Sequence, residues 1–464
     1  MTAVRPTPSA GFDLAVPVLV IGAGASGMVA ALSAADNAGE VLVLEADAVP
    51  SGSTALSAGL IPAAGTCFQT AVGIEDAPGL LAEDIQRKAN GENPQHLVDT
   101  LAGDAGQVIE WLAERFDLPF SVVTDFDYPG HSRRRMHGLP SRSGQELVDR
   151  LRTACEAEGI DIVCGRRAVT VFQDGARITG VEVEGPEGAE RIGCHALILA
   201  CNGFGGNREM VAKHMPQIEG ALWFGHDGNK GDAVHWGEAL GAESLHLGAY
   251  QGHGNVATPH GVLISWAVIA AGGVQVNTEG ERFWDESQGY SEAARAVLSQ
   301  PDGIAWAIFD ARIADIARQF QDFKDAEAVV ALRSAGTIAD LAKICDLPKA
   351  ALEQTLDAIP EDGKDQFGRL FTGPGLKPPY MAVRVTGALF HTQGGLNITS
   401  DARVKLKNGK TSPNLFAAGG AAVGVSGTGD RGYLSGNGLL SAVVLGRIAG
   451  QHAAAQTRMG LSDA

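Results

Sequence analysis

Three glycines and one acidic residue near the amino terminus have the spacing of a site for the pyrophosphate and ribose of a dinucleotide. Gly22, Gly24 and Gly27 follow the pattern Gly-x-Gly-x-x-Gly, and Glu45 comes 18 residues after Gly27. Glycines let the backbone turn tightly beside a pyrophosphate, and the helix that follows offers free N–H groups and partial positive charge. The carboxylate can accept from both ribose hydroxyls but would repel a 2′-phosphate. The pattern therefore favours FAD or NAD over NADP.

The residues around this motif predict the elements that must position it. The apolar run at residues 16–21 predicts a short buried strand, residues 28–37 predict a helix, and residues 41–44 predict a second strand that ends at Glu45. A second segment, residues 51–59, is rich in small side chains, which allow a flat ligand to lie against the backbone. A glycine-rich turn without a ligand is the alternative interpretation, but it leaves the complete strand–helix–strand unit unexplained.

Composition excludes several classes of protein. The chain has 464 residues, 45% of them hydrophobic and 19% charged, which is typical of a globular protein with two or more domains. Its formal net charge of −18 disfavours non-specific binding to nucleic acid or anionic membranes. The six cysteines lie far apart without a CxxC motif, so no metal site is expected, and scattered thiols favour the cytoplasm. No membrane span or signal peptide is expected.

The remaining pattern predicts an α/β protein whose first domain is interrupted. Residues 1–13 look like an irregular polar arm, and residues 160–201 alternate as a three-stranded meander with turns at 174–175 and 184–188. From about residue 248 the alternation of strands and helices breaks down, with helices expected near 292–300, 310–333 and 337–359. We therefore predict a Rossmann-like dinucleotide-binding domain in two parts, residues 1–247 and 391–464, with an inserted α+β capping domain at residues 248–390.

Several of these segments together resemble the flavoprotein family of fumarate reductases, succinate dehydrogenases and 3-ketosteroid dehydrogenases. Besides the glycine motif and the 51–59 run, the resemblance rests on residues 199–206, 272–277, 281–286, 391–395 and 419–450. It covers nearly the whole chain. It implies FAD as the cofactor and hydride exchange between flavin N5 and a carbon beside a carbonyl or carboxylate group.

The motif and the resemblance together imply a set of FAD-binding residues. These are Gly22, Gly24, Ala25, Ser26, Gly27, Glu45, Ala46, Ser53, Thr54, Ser57, Ala58, Gly59, Ala168, Asn202, Gly203, Gly419, Gly420, Asn437, Leu439 and Leu440. The C-terminal helix near residues 437–440 is expected to point at the flavin pyrimidine ring, where reduced flavin carries negative charge. The 51–59 run lacks the histidine to which membrane-bound family members attach flavin, so we expect non-covalent FAD.

Hydrogen exchange across a C–C bond beside a carbonyl needs a group that holds the carbonyl oxygen. The resemblance implies this role for His391, which stands in a His-x-x-Gly-Gly setting, and for His253, 24 residues before Asn277. The nearby His260 is an alternative to His253. Arg431 resembles a carboxylate-binding arginine, but the run from Arg431 to Asn437 is two residues longer than the Arg-Leu-Gly-Gly-Asn of fumarate reductases.

The proton donor departs from the fumarate reductase pattern. Those enzymes carry an arginine a few residues after an Arg-Phe-x-Asn-Glu run, whereas here Tyr290 stands after residues 282–286. Ketosteroid dehydrogenases place a proton-abstracting tyrosine in a similar setting. Tyr433 and Tyr128 also resemble tyrosines of those enzymes. A tyrosine has an ordinary pKa near 10, so as a base it needs a neighbouring cation or hydrogen-bond donor.

The sequence therefore predicts an FAD-dependent oxidoreductase that forms or reduces a Cα–Cβ double bond next to a carbonyl or carboxylate, with Tyr290 exchanging the proton and Tyr433 assisting. A diffusible electron donor or acceptor is expected as a partner. A flavin oxidase of a small amine or hydroxy acid is the alternative. The arginine-rich segment at residues 131–142 suggests a carboxylate substrate, and the tyrosines suggest a cyclic ketone. Substrate, direction and oligomeric state stay open.

Overall fold

The computed structural model describes residues 3–37, 39–125 and 127–462. Twenty-three strands lie within these residues: β1 (Ala3–Pro6), β2 (Leu14–Ile21), β3 (Val41–Leu44), β4 (Ile61–Pro62), β5 (Ser121–Val122), β6 (Met136–Gly138), β7 (Asp161–Val163), β8 (Arg167–Asp174), β9 (Arg177–Gly185), β10 (Gly188–Leu199), β11 (Leu222–Trp223), β12 (Ser244–Leu245), β13 (Tyr250–Ala257), β14 (Val262–Leu263), β15 (Val274–Val276), β16 (Ile304–Asp310), β17 (Leu332–Ala335), β18 (Asp362–Lys364), β19 (Leu370–Thr372), β20 (Tyr380–Thr392), β21 (Gly395–Leu396), β22 (Arg403–Lys405) and β23 (Thr411–Ala417).

Fifteen α-helices lie within the same residues: α1 (Ala25–Asp36), α2 (Gly52–Ala55), α3 (Cys67–Ala71), α4 (Pro78–Lys88), α5 (Gln95–Phe116), α6 (Gly144–Ala157), α7 (Arg208–His214), α8 (Asp232–Ala239), α9 (Ala267–Ala270), α10 (Tyr290–Leu298), α11 (Ala311–Ala317), α12 (Gln321–Ala328), α13 (Ile338–Cys345), α14 (Lys349–Asp357) and α15 (Asn437–Ser462). Short 3₁₀ turns occur at Pro216–Ile218, Glu286–Gln288, Pro301–Gly303 and Gly419–Ala421.

A nine-stranded sheet carries the dinucleotide motif. Its strand order is β1-β8-β9-β10-β2-β3-β7, with β23 paired to β10 and β22 paired to β23. Strands β3, β2, β10 and β23 run parallel, so their carboxyl ends meet at one edge of the sheet. The residues that follow these strands, including Gly22, Glu45, Asn202 and Gly419, are thereby brought together, although the first and the last are 397 residues apart. The expected mixed α/β fold is confirmed.

The amino-terminal segment differs from the irregular arm that the sequence predicts. Residues Ala3–Pro6 form strand β1, which pairs in parallel with β8 at the edge of the sheet. The pairing is non-local, and a four-residue strand that includes a proline at its end has too weak a pattern to be recognised alone. The three-stranded meander is present as the antiparallel strands β8, β9 and β10.

A second, seven-stranded sheet is built around the long strand β20. The order is β14-β13-β20-β16-β15, and β11 and β17 also pair with β20. Residue 391 is part of β20 and lies opposite Gln251 of β13. The proposed domain boundaries at 247/248 and 390/391 stay predictions, although the second of them falls within β20.

The two terminal regions of the chain pack against each other through α1 and α15. A Cβ atom added at Gly450 would lie 2.1 Å from the backbone oxygen of Ala30, and one added at Gly446 would lie 2.6 Å from that of Ser26. Only glycines permit the helix backbones to approach this closely. The largest hydrophobic core surrounds this contact and joins residues of both regions. Among the described residues, none of the helices has the length and apolar character that crossing a bilayer would require.

Candidate functional site

A cavity lies between the two large sheets, and residues of both sheets line it. We call the part lined by residues 22–26, Glu45, residues 52–59, Asn202 and residues 419–420 the dinucleotide end. We call the part lined by His253, Trp266, Tyr290, His391 and Tyr433 the substrate end.

The glycine motif at the dinucleotide end depends on close backbone contacts. Gly22 has a φ of +103°, and a Cβ there would lie 2.6 Å from the backbone oxygen of Ala200. A Cβ at Gly27 would lie 1.8 Å from the oxygen of Gly22. Gly24 caps α1 without a side chain, so the first turn of the helix opens directly onto the cavity. This geometry suits an anionic pyrophosphate.

Glu45 is held at the cavity wall by backbone donors. Its Oε2 accepts from the N–H of Ala23 at 2.8 Å, and its Oε1 accepts from the N–H of Asp47 at 2.9 Å. The residue is buried but lines the cavity. Each carboxylate oxygen retains a second lone pair for a ribose hydroxyl. The carboxylate is thus fixed before a ligand arrives.

The small-residue run is tied to the rest of the dinucleotide end through Ser53. Its hydroxyl accepts from the side-chain amides of Asn202 at 3.1 Å and Asn229 at 2.8 Å. His226 lines the same wall, and its Nε2 lies 2.6 Å from Asp47 Oδ2. Sequence reasoning missed Asn229 and His226, because the loop that contains them has no motif of its own.

Most of the predicted cofactor residues line the cavity. The exceptions are Gly27, Gly203, Asn437 and Leu440, which do not line it; Asn437 and Leu440 are buried. At Gly203, an added Cβ would lie 1.8 Å from Thr392 Oγ1. Arg166 and Arg167 line the same cavity and were not predicted. The uncapped helix, the fixed acid and the buried, unpartnered hydroxyl of Ser26 at the cavity wall together fit FAD.

Tyr290 occupies the start of α10, directly after Gly289, which has a φ of +127°. Lys88 of α4 anchors this helix by donating to the backbone oxygen of Gln288 at 2.7 Å and to the carboxylate of Glu292. Burial raises the pKa of Glu292 to about 7 despite the ion pair with Lys88. The first turn of α10 is therefore held in place against the dinucleotide-binding part of the chain.

Aromatic rings surround the Tyr290 side chain. It stacks on His253 with ring centroids 4.8 Å apart and meets Tyr433 edge-on at 5.8 Å. Burial raises the pKa of Tyr290, and contacts of its hydroxyl with Ser435, Tyr433 and the Gly436 backbone N–H counteract that rise. Burial also raises the pKa of Tyr433 well above its ordinary value. Both phenols are protonated at neutral pH.

The two histidines of the substrate end are neutral. Burial lowers the pKa of His253 to about 3 and that of His391 to about 4. They lie on neighbouring strands, β13 and β20. Gln251 precedes His253 by two residues and also lines the cavity. The alternation of strand side chains was the signal that could have identified it.

The other predicted residues have different surroundings. Arg431 is exposed and does not line the cavity, so this geometry gives no support for a substrate-binding role. Arg135, in the arginine-rich segment, is fully buried and pairs with Asp76 at 2.8 Å and Asp84 at 2.6 Å. His260 is exposed and is also absent from the lining. Tyr433 lines the substrate end, as expected for a residue near the substrate.

Asp322 is an acid at the cavity wall that sequence reasoning missed. It lies in the first turn of α12, and its Oδ1 accepts from the backbone N–H of Phe323 at 2.8 Å. Burial raises the pKa of this carboxyl to about 7. Tyr128 lines the cavity as well, and burial raises its pKa well above the ordinary value.

The fold and the cavity define a dinucleotide-binding oxidoreductase of the flavoprotein type. The sequence model of the FAD binding domain family matches residues 17–439. The chain therefore belongs to this family and is an FAD-dependent oxidoreductase.

Similar proteins include reductases of unsaturated acids. The chain is 33% identical over 457 residues to a probable fumarate reductase of Shewanella frigidimarina, covering 96% of this chain and 76% of that protein. It is 28% identical to urocanate reductase of Eggerthella lenta, covering 97% of this chain and 76% of that protein.

Solved structures with the same fold include two kinds of enzyme. The open form of a flavocytochrome c3 fumarate reductase matches with a TM-score of 0.80 and 31% identity, covering 97% of this chain and 80% of that one. A 3-ketosteroid-Δ4-(5α)-dehydrogenase of Rhodococcus jostii matches with a TM-score of 0.75 and 23% identity, covering 97% and 99%. The second likeness shows the shared fold alone.

Proposed function

We propose that the chain forms or reduces a carbon–carbon double bond next to the carbonyl or carboxylate group of a small molecule. The observation that carries this proposal is the meeting of Tyr290, His253 and His391 in one cavity that continues into the dinucleotide end. FAD supplies hydride exchange at N5 when bound. The relatives named as fumarate and urocanate reductases support the same class of reaction.

In this proposal, Tyr290 exchanges the proton at the carbon not attacked by hydride. Its buried phenol is protonated at neutral pH and can donate in the direction of reduction. In the reverse direction, Ser435, Tyr433 and the Gly436 N–H would stabilise the phenolate. His391 and His253 donate to the activating oxygen, where negative charge develops.

FAD is proposed to bind without a covalent link. The small-residue run at residues 51–59 contains no histidine, and the pyrophosphate would be held by the first turn of α1 and the ribose by Glu45. Precipitation of the holoenzyme in acid should leave the yellow colour in the supernatant. A diffusible donor or acceptor would exchange the electrons, and the six free cysteines favour a cytoplasmic location.

Replacing Tyr290 by Phe tests the proposed reaction. Turnover of enoates or cyclic enones with a reduced dye should fall by about 10²–10⁴-fold, because the variant keeps the ring but loses the proton donor. The absorption spectrum of bound flavin should be unchanged. Tyr380→Phe is the matched control, since Tyr380 lies on β20 but does not line the cavity.

Two outcomes would contradict the proposal. Unchanged turnover in Tyr290→Phe would remove Tyr290 as the proton carrier. Peroxide release from small amines or hydroxy acids, without reaction of any unsaturated or saturated carbonyl compound, would indicate a flavin oxidase instead.

A further inference from the structure

A chain of buried hydrogen bonds links the start of helix α15 to the His391 ring. The Asn437 side-chain amide donates to the oxygen of Val425 at 2.8 Å and to Ser426 Oγ at 3.4 Å. Ser426 Oγ donates to Gln393 Oε1 at 3.0 Å, and Gln393 Nε2 lies 2.8 Å from His391 Nδ1. Asn437, Ser426 and Gln393 are all buried.

The direction of each hydrogen bond in this chain follows from its first member. The Val425 carbonyl can only accept, so the Asn437 nitrogen faces it and uses its second hydrogen toward Ser426. Ser426 then donates its single hydroxyl hydrogen to Gln393 Oε1. If the Gln393 amide were reversed, the buried Ser426 hydroxyl would lose that acceptor, which is costly.

The last link determines which ring nitrogen of His391 carries the hydrogen. Because Gln393 Nε2 is a donor, His391 Nδ1 must accept, and the ring hydrogen of a neutral imidazole is left on Nε2. His253 is arranged in the same way, since its Nδ1 accepts from the backbone N–H of Asn255 at 3.2 Å. Both histidines line the substrate end as neutral donors.

Among the described residues, no lysine or arginine lines the substrate end, although Lys88, which is paired with Glu292, and Arg142, whose charge acts on Tyr128, lie nearby. The arginines that line the cavity, Arg166 and Arg167, belong to the opposite wall, where the Arg166 N–H donates to the Glu45 backbone oxygen at 2.8 Å. Arg167 is paired with Asp232 at 2.7 Å. A carboxylate at the substrate end would therefore be buried against a lining without a cation, in a cavity that the acid Asp322 also lines.

We propose that Gln393 fixes His391 as a neutral imidazole whose Nε2–H donates into the cavity, and that this arrangement selects an uncharged carbonyl oxygen over a carboxylate. The proposal rests on the function proposed above and narrows its substrate to enones and ketones. It separates this chain from its relatives named as reductases of fumarate and urocanate. Gln393 acts here as a positioning residue, because it acts through His391.

Nitrogen NMR of the holoenzyme labelled with ¹⁵N-histidine tests the tautomer directly. We expect His391 to show a protonated Nε2 and an unprotonated Nδ1, unchanged between about pH 6 and 9 because its pKa is far lower. The His391→Gln variant assigns the signal. A protonated Nδ1, or a cationic ring at neutral pH, would overturn the proposal.

The substitution Gln393→Glu tests the consequence for specificity. A carboxylate at this position accepts from Nδ1–H and favours the imidazolium, so binding of fumarate, followed by the flavin absorption spectrum, should strengthen by roughly tenfold or more. Turnover of cyclic enones should fall by a similar factor. Gln393→Met is the matched control, since it keeps the length of the side chain but provides no acceptor, and should not strengthen fumarate binding.

The outcomes separate this inference from the proposed function. If Gln393→Glu and Gln393→Met bind fumarate equally and show the same His391 signal, Gln393 does not set the tautomer. If wild-type enzyme binds fumarate more tightly than any enone, the selection for an uncharged carbonyl is wrong. If no carbonyl compound changes the flavin colour while Nε2 is protonated, the proposed function fails and the tautomer assignment stands. Should Gln393→Glu not fold, the wild-type NMR spectrum still decides.

Discussion

The two ends of the cavity are built by different means. The dinucleotide end consists largely of backbone and small side chains that follow the carboxyl ends of parallel strands. The substrate end consists of rings and polar side chains drawn from α10, β13, β20 and the segment before α15. At the dinucleotide end, short segments of consecutive residues determine the geometry. At the substrate end, the geometry depends on tertiary packing.

This difference explains why a sequence specifies one end more fully than the other. A backbone cradle needs glycines at fixed spacing, so its pattern can be read locally. A ring such as Tyr290 is useful only because of its neighbours, and those neighbours are distant in the chain. Substitutions at the two ends should therefore have different consequences.

The largest effect is expected at the glycine motif. In Gly27→Ala, the new Cβ would lie 1.8 Å from the Gly22 oxygen, so the motif cannot close without moving the backbone. The cost should exceed the ~1–3 kcal/mol typical of overpacking, and the protein should purify colourless. Thermal unfolding of the apoprotein and titration with FAD measure the two effects.

The matched control lies within the same motif. In Gly24→Ala, the new Cβ would meet Thr54 Oγ1 at 3.5 Å, which is an ordinary contact. This variant should keep the stability of the apoprotein within about 1 kcal/mol. Its affinity for FAD should fall, because the methyl group stands where the backbone approaches the pyrophosphate. Equal apoprotein stability in both variants would contradict the proposed role of close packing.

The sequence predicts the strand–helix–strand unit, the meander and the family well, because each depends on a local pattern. It places the start of α10 two residues late. It also predicts single helices at 310–333 and 337–359, where the structure has the pairs α11 and α12, and α13 and α14. Helical periodicity continues through such a break, so the pattern alone does not reveal it.

The candidate site shows the same division. The resemblance identifies Tyr290, His253, His391 and Tyr433, which all line the cavity. It also suggests Arg431, but the run from Arg431 to Asn437 is two residues longer than in fumarate reductases, and Arg431 is exposed. Gln393 belongs to a segment that the resemblance already includes, but its role depends on a hydrogen bond from Ser426, which in turn accepts from Asn437. A sequence pattern does not encode these contacts.

The next largest effect is expected in the arginine-rich segment at residues 131–142, which in the sequence suggests a carboxylate substrate. In Arg135→Met, the buried carboxylate of Asp76 would lose its cation, and that of Asp84 would keep only Arg87. Unfolding free energy should fall by about 3–5 kcal/mol, because removing one partner leaves buried charge uncompensated. Turnover per bound flavin should change little, since Arg135 does not line the cavity.

Arg134→Met is the surface control for this experiment. Arg134 pairs with Asp127 at 2.8 Å, and both side chains are well exposed, so the loss should be below about 1 kcal/mol. Chemical denaturation measures both variants. A strong rise in KM for carboxylates in Arg135→Met, with stability unchanged, would contradict this prediction and would show that the segment takes part in substrate binding.

The smallest effect distinguishes the substrate end by its response to pH. Burial raises the pKa of Asp322 to about 7. Between the ordinary aspartate pKa and this value, the folded protein holds a proton that the unfolded chain has released, so stability falls as pH rises. Asp322→Asn removes this dependence.

Because the carboxyl is only partly buried against the cavity, the variant should be more stable by on the order of 1–2 kcal/mol above pH 7 and equal to wild type near pH 4. Denaturation of both proteins across this range measures the difference. A gain that is the same at every pH would show that the asparagine packs better and that the carboxyl carries no penalty, in which case the substrate end would be less apolar than its rings suggest.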